Sequence, residues 1–175
     1  MCMEIVQGKN FSITDPQGVN TVIYKINETE KEYLAESPKF TIERLDYTEE
    51  LRGDVKKKTF FVEDPKPEEE LVILSFGKDR VVVNMGILEE NKVLISKKPS
   101  ALKFKTLYSE KEEEFKEFKY TPNLKRPITI IDPETTEEVK PVLYFDKDTN
   151  EVRGKCKLKP YKSYFAFEIR EDKNI

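Results

Sequence analysis

Apolar and polar residues alternate with a period of two through most of this chain. Thr21-Val22-Ile23-Tyr24-Lys25-Ile26 is rich in β-branched and aromatic side chains, which fit a pleated, half-buried surface, and predicts a strand. Phe11-Ser12-Ile13 predicts a shorter strand before it, closed by the turn sequence Asp15-Pro16-Gln17-Gly18. Phe40–Leu45 begins in alternation, but Leu45 falls out of phase with Phe40 and Ile42, which predicts a bulge near its end. Thr59–Val62, Leu71–Phe76, Arg80–Met85, Lys92–Ser96, Leu102–Tyr108, Ile128–Ile131, Val142–Phe145, Val152–Leu158 and Tyr164–Ile169 continue the series. Gly77-Lys78-Asp79 reads as a hairpin loop inside it, and Gly86 as the end of the following strand. Asp46–Lys58, polar and centred on Gly53, reads as a long loop.

Two segments depart from the strand pattern. Thr29-Glu30-Lys31-Glu32 and Ser109-Glu110-Lys111-Glu112 fit the capping box, where a hydroxyl and a carboxylate satisfy each other's backbone N–H groups at a helix start. They predict one or two short helices, over Glu30–Glu36 and Glu110–Phe118, and a strand over Phe115–Tyr120 competes with the second. The remaining dozen or so short strands, bounded by turn residues, define an all-β chain folded as a β-sandwich or a partly closed β-barrel. A single β domain over residues 1–175 is expected, with a minor boundary at the Pro-bracketed connector near 120–127.

Composition narrows the chemistry. The 31 Lys+Arg nearly balance 34 Asp+Glu, for a net charge of -3, whereas an electrostatic nucleic-acid binder carries a basic excess. With no His in the chain, a Ser-His-Asp triad, a Cys-His dyad or a His-ligated metal cannot be assembled within it. Cys2 and Cys156 are too few for a disulfide scaffold or a four-cysteine zinc site. No glycine-rich phosphate loop is present. The expectation is therefore no enzyme, no cofactor, no metal and no small-molecule substrate. The 11 Phe and 8 Tyr argue for a packed core rather than disorder. No leader or membrane-spanning run is read from the sequence, so neither a membrane partner nor secretion is expected. Abundant Lys and Glu with two Gln match the bias of hyperthermophile proteins, which a low-GC genome also produces.

Four polar clusters merit a site reading. Asp146-Lys147-Asp148-Thr149-Asn150-Glu151 has oxygen ligands at alternate positions, as a calcium loop does, but Glu151 and Lys157 stand where that loop needs Gly and a bidentate Glu. A hairpin turn explains the same residues. Lys155, Lys157, Lys159 and Lys162 interleave with Tyr161 and Tyr164, as in a strip that tracks single-stranded nucleic acid, and alternating Lys also protects edge strands. Lys56-Lys57-Lys58 and Lys97-Lys98 lie near acidic residues and read as solvated faces.

Two stretches resemble a known group. Gly8-Lys9-Asn10-Phe11-Ser12-Ile13, with Phe40-Thr41-Ile42-Glu43 leading to Tyr47-Thr48-Glu49-Glu50-Leu51-Arg52-Gly53, resembles the first half of bacteriophage tail-tube and related virion structural proteins. Leu143-Tyr144-Phe145-Asp146, Thr149-Asn150-Glu151-Val152 and Tyr164-Phe165-Ala166-Phe167 resemble their late hairpin and final strand. The turn departs from the group's pattern, with Asn150 or Glu151 in place of the usual Gly. Together these stretches cover about a third of the chain. The resemblance implies a homo-oligomer of stacked rings in which neighbours join their sheets, built into a virion assembled in the host cytoplasm, with other virion proteins as further partners. It implies that Arg44–Lys58 reaches the next ring, with Leu45, Tyr47 and Leu51 as apolar contacts. Two alternatives stay open: a small cytoplasmic β-sandwich adaptor that binds a protein partner, and an OB-like single-stranded nucleic-acid binder using the Lys155–Tyr164 strip.

Overall fold

The computed structural model describes residues 7–30, 39–67, 69–95, 102–109, 118–120 and 129–169. All regular structure among them is β, arranged in antiparallel sheets, none of which closes into a barrel. The chain divides into two compact units, Met1–Asn27 with Ile42–Ser100, and Glu28–Thr41 with Ala101–Ile175. The Pro-bracketed connector, outside the described residues, falls within the sequence of the second unit.

The first unit is built from β1 (Gly8–Pro16), β2 (Asn20–Glu30), β3 (Lys39–Arg44), β4 (Asp46–Arg52), β5 (Val55–Glu63), β6 (Glu69–Phe76), β7 (Val81–Glu89) and β8 (Lys92–Ile95). The ends of β2 and β3 nearest their connecting segment are assigned to the second unit. One sheet has the order β1-β5-β4 and the other β3-β2-β6-β7-β8. Alternation turns Phe11, Phe60 and Val62 of the smaller sheet onto Ile23, Leu71, Ile73 and Leu88 of the larger one, forming a sandwich core. Leu45 joins this core at the crossover between the sheets, where its N–H donates to the Ile23 carbonyl at 2.9 Å. Its phase break thus marks a change of sheet. On the other face of β2 and β6, Val22, Tyr24, Val72 and Leu74 are also fully buried. A near-continuous apolar run such as Leu71–Leu74 is what two-sided burial demands.

The second unit contains β9 (Leu102–Ser109), β10 (Phe118–Tyr120), β11 (Thr129–Ile131), β12 (Glu138–Val139), β13 (Val142–Asp146), β14 (Glu151–Lys155) and β15 (Lys162–Ile169). Its sheets have the orders β12-β11-β15-β9 and β10-β14-β13. Ile130, Tyr164 and Ala166 pack against Cys156 and Leu158 from the segment after β14. Ile131, Phe165 and Phe167, on the alternate face of the same strands, are buried too.

Two expectations change. Asp46–Lys58 is no loop but the hairpin of β4 and β5, turning at Gly53 with φ +63°. Its polar composition hid it, because β4 is an edge strand with a wet face, and Glu49 opposite Lys58 and Glu50 opposite Lys57 supply cross-strand charge pairs. Gly86 does not end β7 but lies buried inside it, where an added Cβ would meet Val93 Cγ1 at 2.8 Å. Glycine there lets β8 close on β7. Of the two helices, residues 31–36 and 110–117 lie outside the described residues, while Thr29 and Glu30 belong to β2 and Phe118 to β10.

Candidate functional site

The register of β1-β5-β4 lays three rows of side chains across one face of this sheet: Phe11–Phe60–Tyr47, Ile13–Lys58–Glu49 and Asp15–Lys56–Leu51. The first row is aromatic, with Phe11 and Phe60 stacked at 5.5 Å and Tyr47 tilted against Phe60 at 5.2 Å. The second row places an ammonium group next to it. Lys58 continues the inward alternation of Val62 and Phe60, so the sheet carries it into the interior, where the residue is 0% exposed.

There its Nζ meets four groups. It donates to the Thr21 carbonyl at 2.8 Å, lies 3.3 Å from Asp15 Oδ2 and 3.7 Å from Glu49 Oε1, and sits 4.7 Å above the Tyr47 ring centroid. Ring and carboxylates both attract a cation that has lost its water. Asp15 is equally buried. Its Oδ2 accepts the Thr21 N–H at 2.9 Å, while Oδ1 has no hydrogen-bond partner. Half of this carboxylate is therefore unsatisfied in a dry setting, an expensive arrangement. Glu49 is more exposed, with 44% of its side chain accessible, and links the cluster to solvent.

The residues expected at a subunit contact separate. Leu45 is in the core and Tyr47 is half-buried against Phe60 and Lys58, whereas Leu51 near the hairpin tip is 62% exposed. Sequence reasoning missed Lys58, Asp15 and Glu49. Its signal was available in the period of two running back from Val62 and Phe60 to Lys58, but the triple lysine reads first as a solvated run.

A second charged cluster closes the β11–β12 hairpin. Asp132 Oδ2 pairs with Lys162 Nζ, Glu134 Oε2 lies 3.4 Å from the same ammonium, and Asp132 Oδ1 accepts the Glu134 N–H at 3.0 Å. Burial pushes the Asp132 carboxyl up, but the Lys162 hydrogen bond, the Glu134 N–H, the Lys162 charge and the Thr135 hydroxyl together hold it below its ordinary value. The hydrogen bond to Asp132 lifts the Lys162 ammonium above its ordinary value against the effect of burial. This pair is part of a tight turn, with Thr136 N donating to the Asp132 carbonyl at 2.7 Å.

Asp146–Glu151 is the turn of the β13–β14 hairpin. Asp146 Oδ1 accepts the Asp148 N–H at 3.0 Å, and Asn150 takes φ 55°, the left-handed conformation that Asn tolerates. Among the described residues, no group of three Asp, Glu, Cys or His converges as metal ligands would. The lysine–tyrosine strip separates in three dimensions. Tyr161 is exposed, but Tyr164 is a core residue whose hydroxyl accepts the Lys159 N–H, and Lys162 is held by Asp132. A stacking platform needs its rings at the surface.

The sheet edges carry a further feature. β13 lies at the edge of its sheet, and Val142, Tyr144 and Phe145 are 63%, 36% and 56% exposed. β8 is an edge of the five-stranded sheet and exposes Leu94 and Ile95. No family model, curated protein or solved structure matches this chain.

Proposed function

We propose that the protein is a self-assembling structural subunit that joins copies of itself through sheet edges, as in a phage tail tube or similar virion tube. The observation that carries this reading is β13, an edge strand among the described residues with Val142, Tyr144 and Phe145 exposed. An edge strand exposes unpaired N–H and C=O groups, and monomeric proteins normally blunt such edges with charge. Strand β4 is blunted in this way by Glu49, Glu50 and Arg52, whereas the one charge of β13, Asp146, lies at its end beyond the uncharged run Val142–Phe145. Unlike edges such as β13 and β8 favour head-to-tail contact, the kind that closes rings. The tail-tube resemblance supplies the more specific form of the reading. In that form the β4–β5 hairpin takes the place of the inter-ring loop, with Leu51 and Val55 as its exposed apolar tip, while Leu45 and Tyr47 hold the hairpin to its own sandwich.

Sedimentation velocity and negative-stain imaging of the full chain over rising concentration test this reading. Rings or tubes are the expected result. A strict monomer under all salt conditions would overturn it, and a monomer that captures a different protein through β13 would instead favour the adaptor reading.

A further inference from the structure

We propose that Lys58 and Asp15 are joined by a self-generated isopeptide bond between Lys58 Nζ and Asp15 Cγ, formed with Glu49 as the proton carrier. No assembly is required for it, so it stands apart from the reading above.

The hydrogen bonds around the pair carry this inference. As an ion pair, the site is poorly served: Asp15 Oδ2 has two donors, Oδ1 has none, and both side chains are only 1% exposed. As an amide, every polar atom in the link would be satisfied by a single residue. Oδ2, which accepts the Thr21 N–H at 2.9 Å, would become the amide oxygen, and Nζ, which donates to the Thr21 carbonyl at 2.8 Å, would become the amide nitrogen with the same two partners in reach. The oxygen that departs is Oδ1, the one without a partner. Converting two buried charges into one neutral amide also removes the desolvation cost that a buried pair carries.

The steps balance without any co-reactant. One proton passes from the Lys58 ammonium to the Asp15 carboxylate, giving a neutral amine and a neutral acid. The amine lone pair attacks Asp15 Cγ and the C–N bond forms. Glu49, whose Oε1 is 3.7 Å from Nζ, takes a second proton from nitrogen and returns it to the departing hydroxyl. The C–O bond breaks and one water leaves past the exposed Glu49 side chain. The usual competing dehydration of aspartate is attack by the next backbone nitrogen. Here that residue is Pro16, whose nitrogen carries no hydrogen, so the cyclic imide is closed off.

The test is the intact mass of the full chain after purification and denaturation. The expected mass is that of the sequence less one water, with tryptic digestion leaving Lys58 uncut and its peptide branched to the one containing Asp15. D15N should converge on the same product mass, with ammonia leaving in place of water, while K58A and D15A should keep their full masses and E49A should link more slowly. Dilute acid adds an internal control, since Asp-Pro bonds break with help from a free aspartate carboxyl. Cleavage should proceed at Asp64–Pro65 and Asp132–Pro133 and be suppressed at Asp15–Pro16. A wild-type chain of full sequence mass overturns the proposal, as does a missing water that persists in K58A. Unaltered linking in E49A overturns the role of Glu49.

Discussion

Asp132 and Lys162 show what a single residue pair does in this fold. A carboxyl held below its ordinary value contributes stability that is fully present above the unfolded value near 3.8 and is lost as pH falls through the lower folded one. An ammonium held above its ordinary value contributes stability that is fully present below 10.5 and is lost as pH rises through the higher folded one. The pair therefore acts as a plateau. The difference in melting temperature between wild type and K162M should be flat from about pH 5 to about pH 9 and shrink outside both limits. Thermal melts across pH check this, and a difference that grows in acid would contradict it. Neither residue was legible as a partner of the other in the chain, because 30 positions apart in sequence says nothing until β11 and β15 pair. Asn150 was legible, since its tolerance of the left-handed region is local.

Elements were readable where buried apolar residues are dense, on one face or on both, and misread where burial is nearly absent. Strands β2, β6 and β15 follow from dense β-branched and aromatic runs, whereas β4 has mostly exposed positions and offered no apolar period to detect. Gly86 was misread as punctuation because a glycine inside a strand and one ending it look alike without the neighbouring strand. G86A should cost about 1–3 kcal/mol, since the new Cβ meets Val93 Cγ1 at 2.8 Å and the Leu94 carbonyl at 3.3 Å. Denaturant unfolding measures the cost, and hydrogen exchange should locate the loosening in β8. For β13, V142K or F145K should abolish self-association while changing folding stability by no more than about 0.5 kcal/mol, because both side chains are exposed. Sedimentation velocity with a parallel melt separates the two effects.

At the scale of the whole molecule, 31 positive and 34 negative residues leave a net charge of -3 and a pI near 5.4. Like-charged copies repel, so self-association should strengthen as pH falls from 7 toward the pI and weaken again with further acidification. Light scattering against pH checks this, and an association independent of pH would assign it entirely to apolar edges. The all-β class, the approximate place of most strands and the exclusion of histidine chemistry within this chain were legible in the residues alone, because period, turn residues and composition are local or additive properties. Packing in three dimensions was needed to see that Lys58 faces inward, that its nitrogen lies beside Asp15, Glu49 and the Tyr47 ring, that β13 is an edge among the described strands, and that the chain divides into two units. Those features depend on which strand neighbours which, and strand order is set by the summed burial of distant segments rather than by any residue's own neighbours in the chain.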